Sequence, residues 1–113
     1  MKLFHRLENN TCLISVVGNL ALSETAELEA FVEPLIRDDA INKLVINCKS
    51  VEIIDSRGVG LLAAILKDLE DLGKSLVLCH LNPAALQILQ SLQLDKLITI
   101  AQSEEEALSL ATG

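Results

Sequence analysis

Apolar residues along the chain recur with two different spacings, one typical of β-strands and the other of α-helices. Alternating or continuous apolar runs predict five strands, at residues 2–7, 11–17, 43–48, 75–80 and 96–100. Only the turn residues Glu8, Asn9 and Asn10 separate the first two strands, and so short a loop permits an antiparallel hairpin but no crossover. A short extended run at 51–54 leads from the third strand toward the next helix.

Four other segments carry apolar residues three and four positions apart, which is the spacing of an amphipathic helix. The predicted helices cover residues 24–37, about 59–72, 83–92 and 104–110. Ser23 and Asn82 are suited to be the N-cap residues of the first and third helices, and Ser103 opens a capping box with Glu106. Pro34 lacks a backbone N–H, so we expect it to kink or split the first helix.

The predicted elements follow one another in the order β-β-α-β-α-β-α-β-α. After the hairpin each strand is followed by a helix, and connections of this length produce right-handed crossovers between parallel strands. The sequence therefore predicts an α/β fold in which a mixed sheet of about five strands, with an N-terminal hairpin, is covered by about four helices. The length of 113 residues predicts a single domain over residues 1–113.

Composition excludes several classes of binding protein. The chain has 16 Asp and Glu against 9 Lys and Arg, a net charge of −7, which argues against binding a nucleic-acid backbone or an anionic membrane. Phe4 and Phe31 are its only aromatic residues apart from histidine. Base-stacking platforms, cation–π cages and aromatic sugar-binding sites are therefore excluded.

The cysteines and histidines do not predict a metal or cofactor site. Cys12, Cys48 and Cys79 are odd in number and far apart, and neither His5 nor His80 lies at metal-ligand spacing from acidic residues. We expect three reduced, mostly buried thiols and no cofactor. The first residues lack the apolar region of a signal peptide, and no apolar stretch is long enough to span a bilayer, so we expect a cytoplasmic protein.

The segment of the sequence most suited to carry chemistry lies at the start of the second helix, where Asp55, Ser56, Arg57 and Gly58 follow a buried strand. The first N–H groups of a helix are unpaired and its dipole is positive there, so a phosphate on Ser56 would lie in a favourable field. Gly58 and Gly60 carry no side chains, which would let another protein approach the backbone closely. The residues alone leave open that Asp55 or Ser56 is simply an N-cap and that the glycines serve packing.

The second helix has one apolar and one small-residue side. Its apolar side carries Leu62, Ile65, Leu66 and Leu69. Its other side carries Gly60, Ala63 and Ala64 with Lys67 and Asp71. Small residues on an exposed face form a flat surface beside Ser56, which suits protein docking better than a small-molecule pocket. The high helix propensity of alanine explains the same residues equally well.

The chain resembles the STAS domains of sulfate transporters and anti-sigma factor antagonists. The resemblance rests on the D-S-x-G-x-x-x-L pattern formed by Asp55, Ser56, Gly58 and Leu62, after a buried strand and within this order of elements. It extends over nearly the whole chain, from the hairpin with Gly18, through the L-V-I-N and S-L-V-L-C strands and the N-P-A-A-L helix start, to Q-S-E-E-E-A-L.

The resemblance implies an anti-sigma factor antagonist, a phosphate acceptor and protein ligand and not an enzyme. In its unphosphorylated form such a protein binds an anti-sigma factor that is also a serine kinase of the histidine-kinase-like ATPase fold. The kinase phosphorylates the serine that matches Ser56, and a serine/threonine phosphatase reverses this. Asp55, Arg57 and Gly58 would support the phosphorylation site, and Gly60, Ala63, Ala64 and Lys67 would contact the partner.

Two positions depart from the family pattern. Many members carry an aspartate in the loop after the second strand, where this chain has Ala21, and a second Ser or Thr at the position of Arg57. Arg57 would pair with a phosphate on Ser56 or with Asp55, or remain a solvated charge. The alternative function is therefore a STAS module without a switch, in a stress-signalling scaffold, a transporter or a two-component pathway. The leucine-rich second and third helices leave room for a weak homodimer.

Overall fold

The computed structural model describes residues 1–110, which form the strands and helices in the predicted order. The strands are β1 (Lys2–Glu8), β2 (Thr11–Val17), β3 (Lys43–Ser50), β4 (Ser75–Cys79) and β5 (Thr99–Ala101). The helices are α1 (Glu24–Arg37), α2 (Ser56–Asp71), α3 (Pro83–Ser91) and α4 (Glu104–Ser109), with a 3₁₀ helix at Leu94–Lys96. The predicted mixed sheet of five strands with four helices is confirmed.

The strands lie in the sheet in the order in which they occur in the chain, β1-β2-β3-β4-β5. β1 pairs antiparallel with β2 through a two-residue turn, in which Asn9 adopts a left-handed conformation with φ of 55°. The other neighbouring strands are parallel. Because right-handed crossovers that all advance in one direction leave their helices on one face, α1, α2 and α3 cover the same face of the sheet.

The two faces of the sheet have separate apolar layers because side chains alternate along each strand. The larger layer packs residues of α1, α2 and α3 against strand residues such as Ile14 and Ile46. On the other face α4 contributes Ala107, which packs against Leu13, Val45 and Val77. The buried Lys43 donates hydrogen bonds from Nζ to the carbonyl oxygens of Ala107 and Leu110, both 2.7 Å away, and so holds the end of α4 against the sheet.

The last strand lies further along the chain than predicted. The sequence predicted a strand over 96–100, whereas β5 begins at Thr99. Gln93 adopts a left-handed conformation with φ of 60°, the 3₁₀ helix follows it, and the Ile98 N–H donates to the Leu94 carbonyl oxygen at 2.8 Å. The backbone up to Ile98 is therefore engaged in a turn and cannot pair with β4.

The first helix also differs from expectation at two residues. α1 covers Glu24–Arg37, the predicted range, and Pro34 does not split it. Pro34 and Ala30 are both exposed, so the Ala30 carbonyl that lacks an N–H donor can be hydrated. Ser23 occupies the N-cap position but its side chain accepts no capping bond. The first N–H groups of α1 instead bond to backbone carbonyls of a preceding turn, as Glu24 N–H does to Ala21.

The three cysteines are buried and unpaired, as predicted. Burial raises the pKa of the Cys48 thiol to about 12 and those of Cys12 and Cys79 to about 11. Within residues 1–110 no group of three or more His, Cys, Asp or Glu side chains could hold a metal ion. Over the same range, no helix combines the length and the apolar character needed to cross a membrane.

Candidate functional site

Asp55 is the N-cap of α2 and also holds the loop between β2 and α1. Its Oδ1 accepts hydrogen bonds from the Arg57 and Gly58 N–H groups, each at 3.0 Å. Its Oδ2 accepts a third from the Leu22 N–H at 3.1 Å. These bonds, above all the one from Gly58, lower the pKa of Asp55, because they favour its ionised form. The carboxylate is therefore charged at neutral pH.

Ser56 is the first residue of α2 and is exposed. Asp55 fills the capping role, and the Ser56 hydroxyl takes part in none of the side-chain hydrogen bonds found within residues 1–110. The hydroxyl lies at the positive end of a 16-residue helix, next to an ionised carboxylate. The hydroxyl is therefore open to solvent and is not used to cap the helix.

Gly58 contacts the protein's own chain, contrary to the expectation that it would let a partner approach. A Cβ atom at this position would overlap the Leu20 carbonyl oxygen and lie 2.8 Å from the carbonyl carbon. Gly58 is buried, and Leu20 is buried completely. The glycine is thus required for close packing between the start of α2 and the loop that follows β2.

That loop runs beside the segment before α2 as a short parallel pairing. Leu20 and Ile54 form a bridge, with hydrogen bonds from Leu20 N–H to the Ile53 carbonyl oxygen at 3.0 Å and from Asp55 N–H to the Leu20 carbonyl oxygen at 3.1 Å. The Asn19 side chain adds a bond, since its Oδ1 accepts from the Ile53 N–H at 3.1 Å. Two loops far apart in the chain therefore form one rigid support beneath Ser56.

Two exposed apolar side chains flank this support, and neither was predicted from the sequence. Leu22 is 66% exposed and Ile53 is 54% exposed. Leu22 has a φ of 51°, a left-handed conformation that is uncommon for leucine, and Asp55 binds its N–H. Nothing in the sequence distinguishes them from the buried apolar residues next to them, Leu20 and Ile54. Their exposure adds apolar contact area beside the serine.

The predicted sides of α2 are found in the structure. Leu62, Ile65, Leu66 and Leu69 are all buried. On the other side Gly60, Ala64 and Lys67 are exposed and Ala63 is half-buried. Lys67 forms a salt bridge with Asp71, with Nζ 3.2 Å from Oδ2. A Cβ on Gly60 would meet no atom within 4 Å, so this residue is open to a partner.

The surface beside Ser56 is grooved, whereas the small residues of α2 predicted a flat one. A shallow cavity of about 240 Å³ lies between α1 and α2, and Arg57, Gly60 and Ala64 line it together with Thr25 and Glu29 of α1. Arg57 is exposed and takes part in none of the salt bridges found within residues 1–110, so of the alternatives left open by the sequence, the ion pair with Asp55 is not formed in the unmodified protein. Its charge still contributes to the lowered pKa of Asp55.

Solved structures of several proteins share this fold. An anti-sigma factor antagonist from Mycobacterium paratuberculosis is 22% identical with a TM-score of 0.85, and the match covers 96% of this chain and 91% of that one. The Bacillus cell fate determinant SpoIIAA in its phosphorylated form is 23% identical with a TM-score of 0.74, over 95% of this chain and 96% of that one.

A membrane transporter contains the same fold as one part of a larger chain. The murine anion transporter Slc26a9 is 12% identical with a TM-score of 0.79, and the match covers 91% of this chain but 18% of that one. The model of the STAS domain family matches residues 5–107, which is most of the chain and includes the whole Ser56 site. The protein is therefore a member of the STAS domain family.

Proposed function

We propose that the protein is an anti-sigma factor antagonist whose binding to an anti-sigma factor kinase is switched off by phosphorylation of Ser56. The observation that carries this proposal is the exposed Ser56 hydroxyl, which has no capping role, at the start of a helix whose N-cap is the neighbouring Asp55. The fold shared with an antagonist that was solved in a phosphorylated form supports it.

The electrostatics of the site suit a switch. A phosphate adds a charge of about −1.5 to −2 beside the ionised Asp55 carboxylate, so the local negative charge rises steeply. The positive end of α2 and the exposed Arg57 guanidinium offset part of this charge within the protein itself. The phosphorylated chain therefore stays folded, while a partner surface that matches the unmodified site meets repulsion and loses its apolar contacts.

The docking surface has an apolar part and an open part around the serine. Leu22 and Ile53 provide exposed apolar area on the loop side, and Gly60, Ala64 and Lys67 form the open face along α2. Ser56 lies between Ile53 and Gly60 in the chain, and its neighbour Asp55 binds the Leu22 N–H. A charge introduced there would act on both halves of the interface at once, which is why one modification can release a whole partner.

A kinase assay tests the modification. The protein is incubated with ATP and a purified serine kinase of the histidine-kinase-like ATPase fold from the same organism, and the product is mapped by mass spectrometry. We expect one phosphate, on Ser56, and none on the Ser56→Ala variant. Labelling of Ser56→Ala to the same extent as the wild type would refute the assignment, and a serine/threonine phosphatase should remove the phosphate.

A binding assay tests the switch separately. Ser56→Asp should weaken binding to the same kinase at least about tenfold, because it adds a charge at the centre of the interface. Ser91→Asp is the matched control, since it adds the same charge at an exposed serine at the end of α3 and should leave affinity unchanged. Equal affinities of the wild type and Ser56→Asp would contradict the charge argument.

The second candidate function is a STAS module in a larger assembly, without a switch. The observation that favours it is the presence of this fold within the Slc26a9 anion transporter, together with Arg57 in place of a second hydroxyl. Affinity purification separates the two candidates. Recovery of an anti-sigma factor kinase supports the antagonist, and recovery of transporter or scaffold subunits supports the module.

A further inference from the structure

Most leucines of α2 and α3, which left room for a weak dimer in the sequence, face the core and are not free to form a dimer surface. Leu62, Leu66, Leu69 and Leu89 are all buried in the core of one chain. The outer edge of β1 offers a different surface, because β1 is the first strand of the sheet and, within residues 1–110, has a neighbouring strand on one side only. It is a seven-residue strand with Phe4 and Leu7 more than half exposed.

We infer that two copies of the chain pair through β1, antiparallel and about a two-fold axis centred on His5. This pairing would join the two sheets into one continuous sheet. The inference is independent of the proposed function, and β1 contains none of the residues of the Ser56 site. The Ser56 site of each copy would therefore remain open in the dimer.

The backbone of β1 has its free hydrogen-bonding groups in the right places. In a two-residue hairpin the residues that close the turn, here Glu8 and Thr11, exchange both hydrogen bonds, and such pairs alternate along the strands. The even-numbered residues of β1 therefore bond to β2, and Leu3, His5 and Leu7 direct their N–H and C=O groups outward. Centred on His5, the pairing matches Leu3 with the partner's Leu7 and His5 with the partner's His5, which completes about six hydrogen bonds.

The side chains on the α4 face of β1 are complementary to the same side chains of a second, antiparallel copy of the strand. Lys2 comes opposite the partner's Glu8, and Phe4 comes opposite the partner's Arg6. The first pair joins opposite charges, and the second places a guanidinium beside an aromatic ring that is 58% exposed in the single chain. Glu8 already binds Arg6 of its own chain through Oε2 at 2.8 Å, which leaves its other oxygen for the partner's lysine.

Neighbouring registers are disfavoured by like charges. A two-fold axis perpendicular to the sheet keeps each side chain on its own face of the joined sheet. One β1 strand can therefore shift along the other only in steps of two residues. A shift in one direction brings Lys2 opposite the partner's Arg6, and a shift in the other brings Arg6 opposite the partner's Arg6. Charged side chains commonly protect edge strands against pairing. In β1 the charged side chains repel one another in the two shifted registers and attract one another in the register centred on His5.

Sedimentation velocity of the whole chain between about 10 μM and about 1 mM tests the inference, since a strand-edge interface of this size predicts a weak, concentration-dependent dimer. Lys2→Glu and Glu8→Lys should each weaken the dimer about tenfold, because two symmetric pairs become repulsive. An equimolar mixture of these two variants should recover dimerisation, since every pair across the mixed interface is attractive. Lys96→Glu, which reverses an exposed charge outside β1, is the control and should dimerise like the wild type.

His5→Pro provides an independent variant, because it removes an outward N–H without removing a bond to β2. It should abolish the dimer while far-UV circular dichroism remains that of the folded wild type, although the contact between the His5 and Phe31 rings is lost. A wild type that remains monomeric at 1 mM overturns the inference. So does a dimer that persists in His5→Pro, or a pair of charge variants that does not associate when mixed.

Discussion

The close contact between Gly58 and Leu20 leads to a sharp prediction about two glycines of the same helix. Gly58→Ala should destabilise the protein, whereas Gly60→Ala should stabilise it. The new Cβ at Gly58 would overlap the Leu20 carbonyl oxygen and lie 2.9 Å from Leu20 Cβ, so the start of α2 and the loop would have to separate. At Gly60 a new Cβ meets no atom within 4 Å.

The magnitudes follow from the contacts at each position. Overpacking at a buried site costs about 1–3 kcal/mol, and separating the loop also weakens the bonds between Leu20 and its partners Ile53 and Asp55, at about 1 kcal/mol each. The higher helix propensity of alanine offsets about 1 kcal/mol of this. We expect Gly58→Ala to lose about 3 kcal/mol of unfolding free energy and Gly60→Ala to gain about 1 kcal/mol.

Urea denaturation followed by circular dichroism measures both values. Thermal melting should agree, with Gly58→Ala about 10 °C below the wild type and Gly60→Ala a few degrees above it. The two variants add the same methyl group to the same helix, so their difference isolates the contact with Leu20. Equal shifts in the two variants, or a Gly58→Ala protein as stable as the wild type, would refute the close packing described for this loop.

Three further predictions concern ionised and buried groups. The folded pKa of Asp55 lies below its ordinary value of 3.8, so its stabilising effect is complete above that pH and is lost as pH falls through the lowered pKa. The urea midpoint of Asp55→Asn should therefore fall less on acidification than that of the wild type. Plots of urea midpoint against pH that run parallel for the two proteins would contradict this. Lys43→Met removes the donor of three carbonyl oxygens at and just after the end of α4, which should cost about 2 kcal/mol and speed amide exchange in residues 104–109. Unchanged exchange there would count against the role of Lys43. Cys12, Cys48 and Cys79 should not react with a thiol reagent at pH 8 until urea unfolds the chain, and rapid labelling of the native protein would show that they are accessible.

Local patterns were sufficient to predict most of the fold and part of the site. β2 begins and ends where its apolar run does, and the buried side of α2 was predicted from residues three and four positions apart. Asp55 at the helix start could also be predicted locally, because aspartate is one of the residues preferred at the N-cap of a helix. Each of these features depends on neighbours in the sequence.

The remaining features depend on contacts between distant residues. Gly58 was expected to face a partner, and nothing near it in the sequence reveals that Leu20 lies against it. The conformation of Leu22 depends in the same way on a hydrogen bond to Asp55. At β5 a local signal was misleading, since Leu97 continues the apolar run of the strand but is 63% exposed in the turn that precedes it.

The strand order has a consequence for how the protein folds. Each strand pairs with the one that precedes it in the chain, so adding β3 to β2, or β4 to β3, closes a loop of only about 30 residues. The sheet can therefore grow from the hairpin one strand at a time, in the direction in which a ribosome releases the chain. Leu20, Ile54 and Asp55 all precede β4 in the chain, so the pairing next to Ser56 can form early in this order. The Asn82 side chain, which donates to the Val51 and Glu52 carbonyl oxygens at 3.3 and 3.0 Å, fixes the same segment only after β4 has joined the sheet.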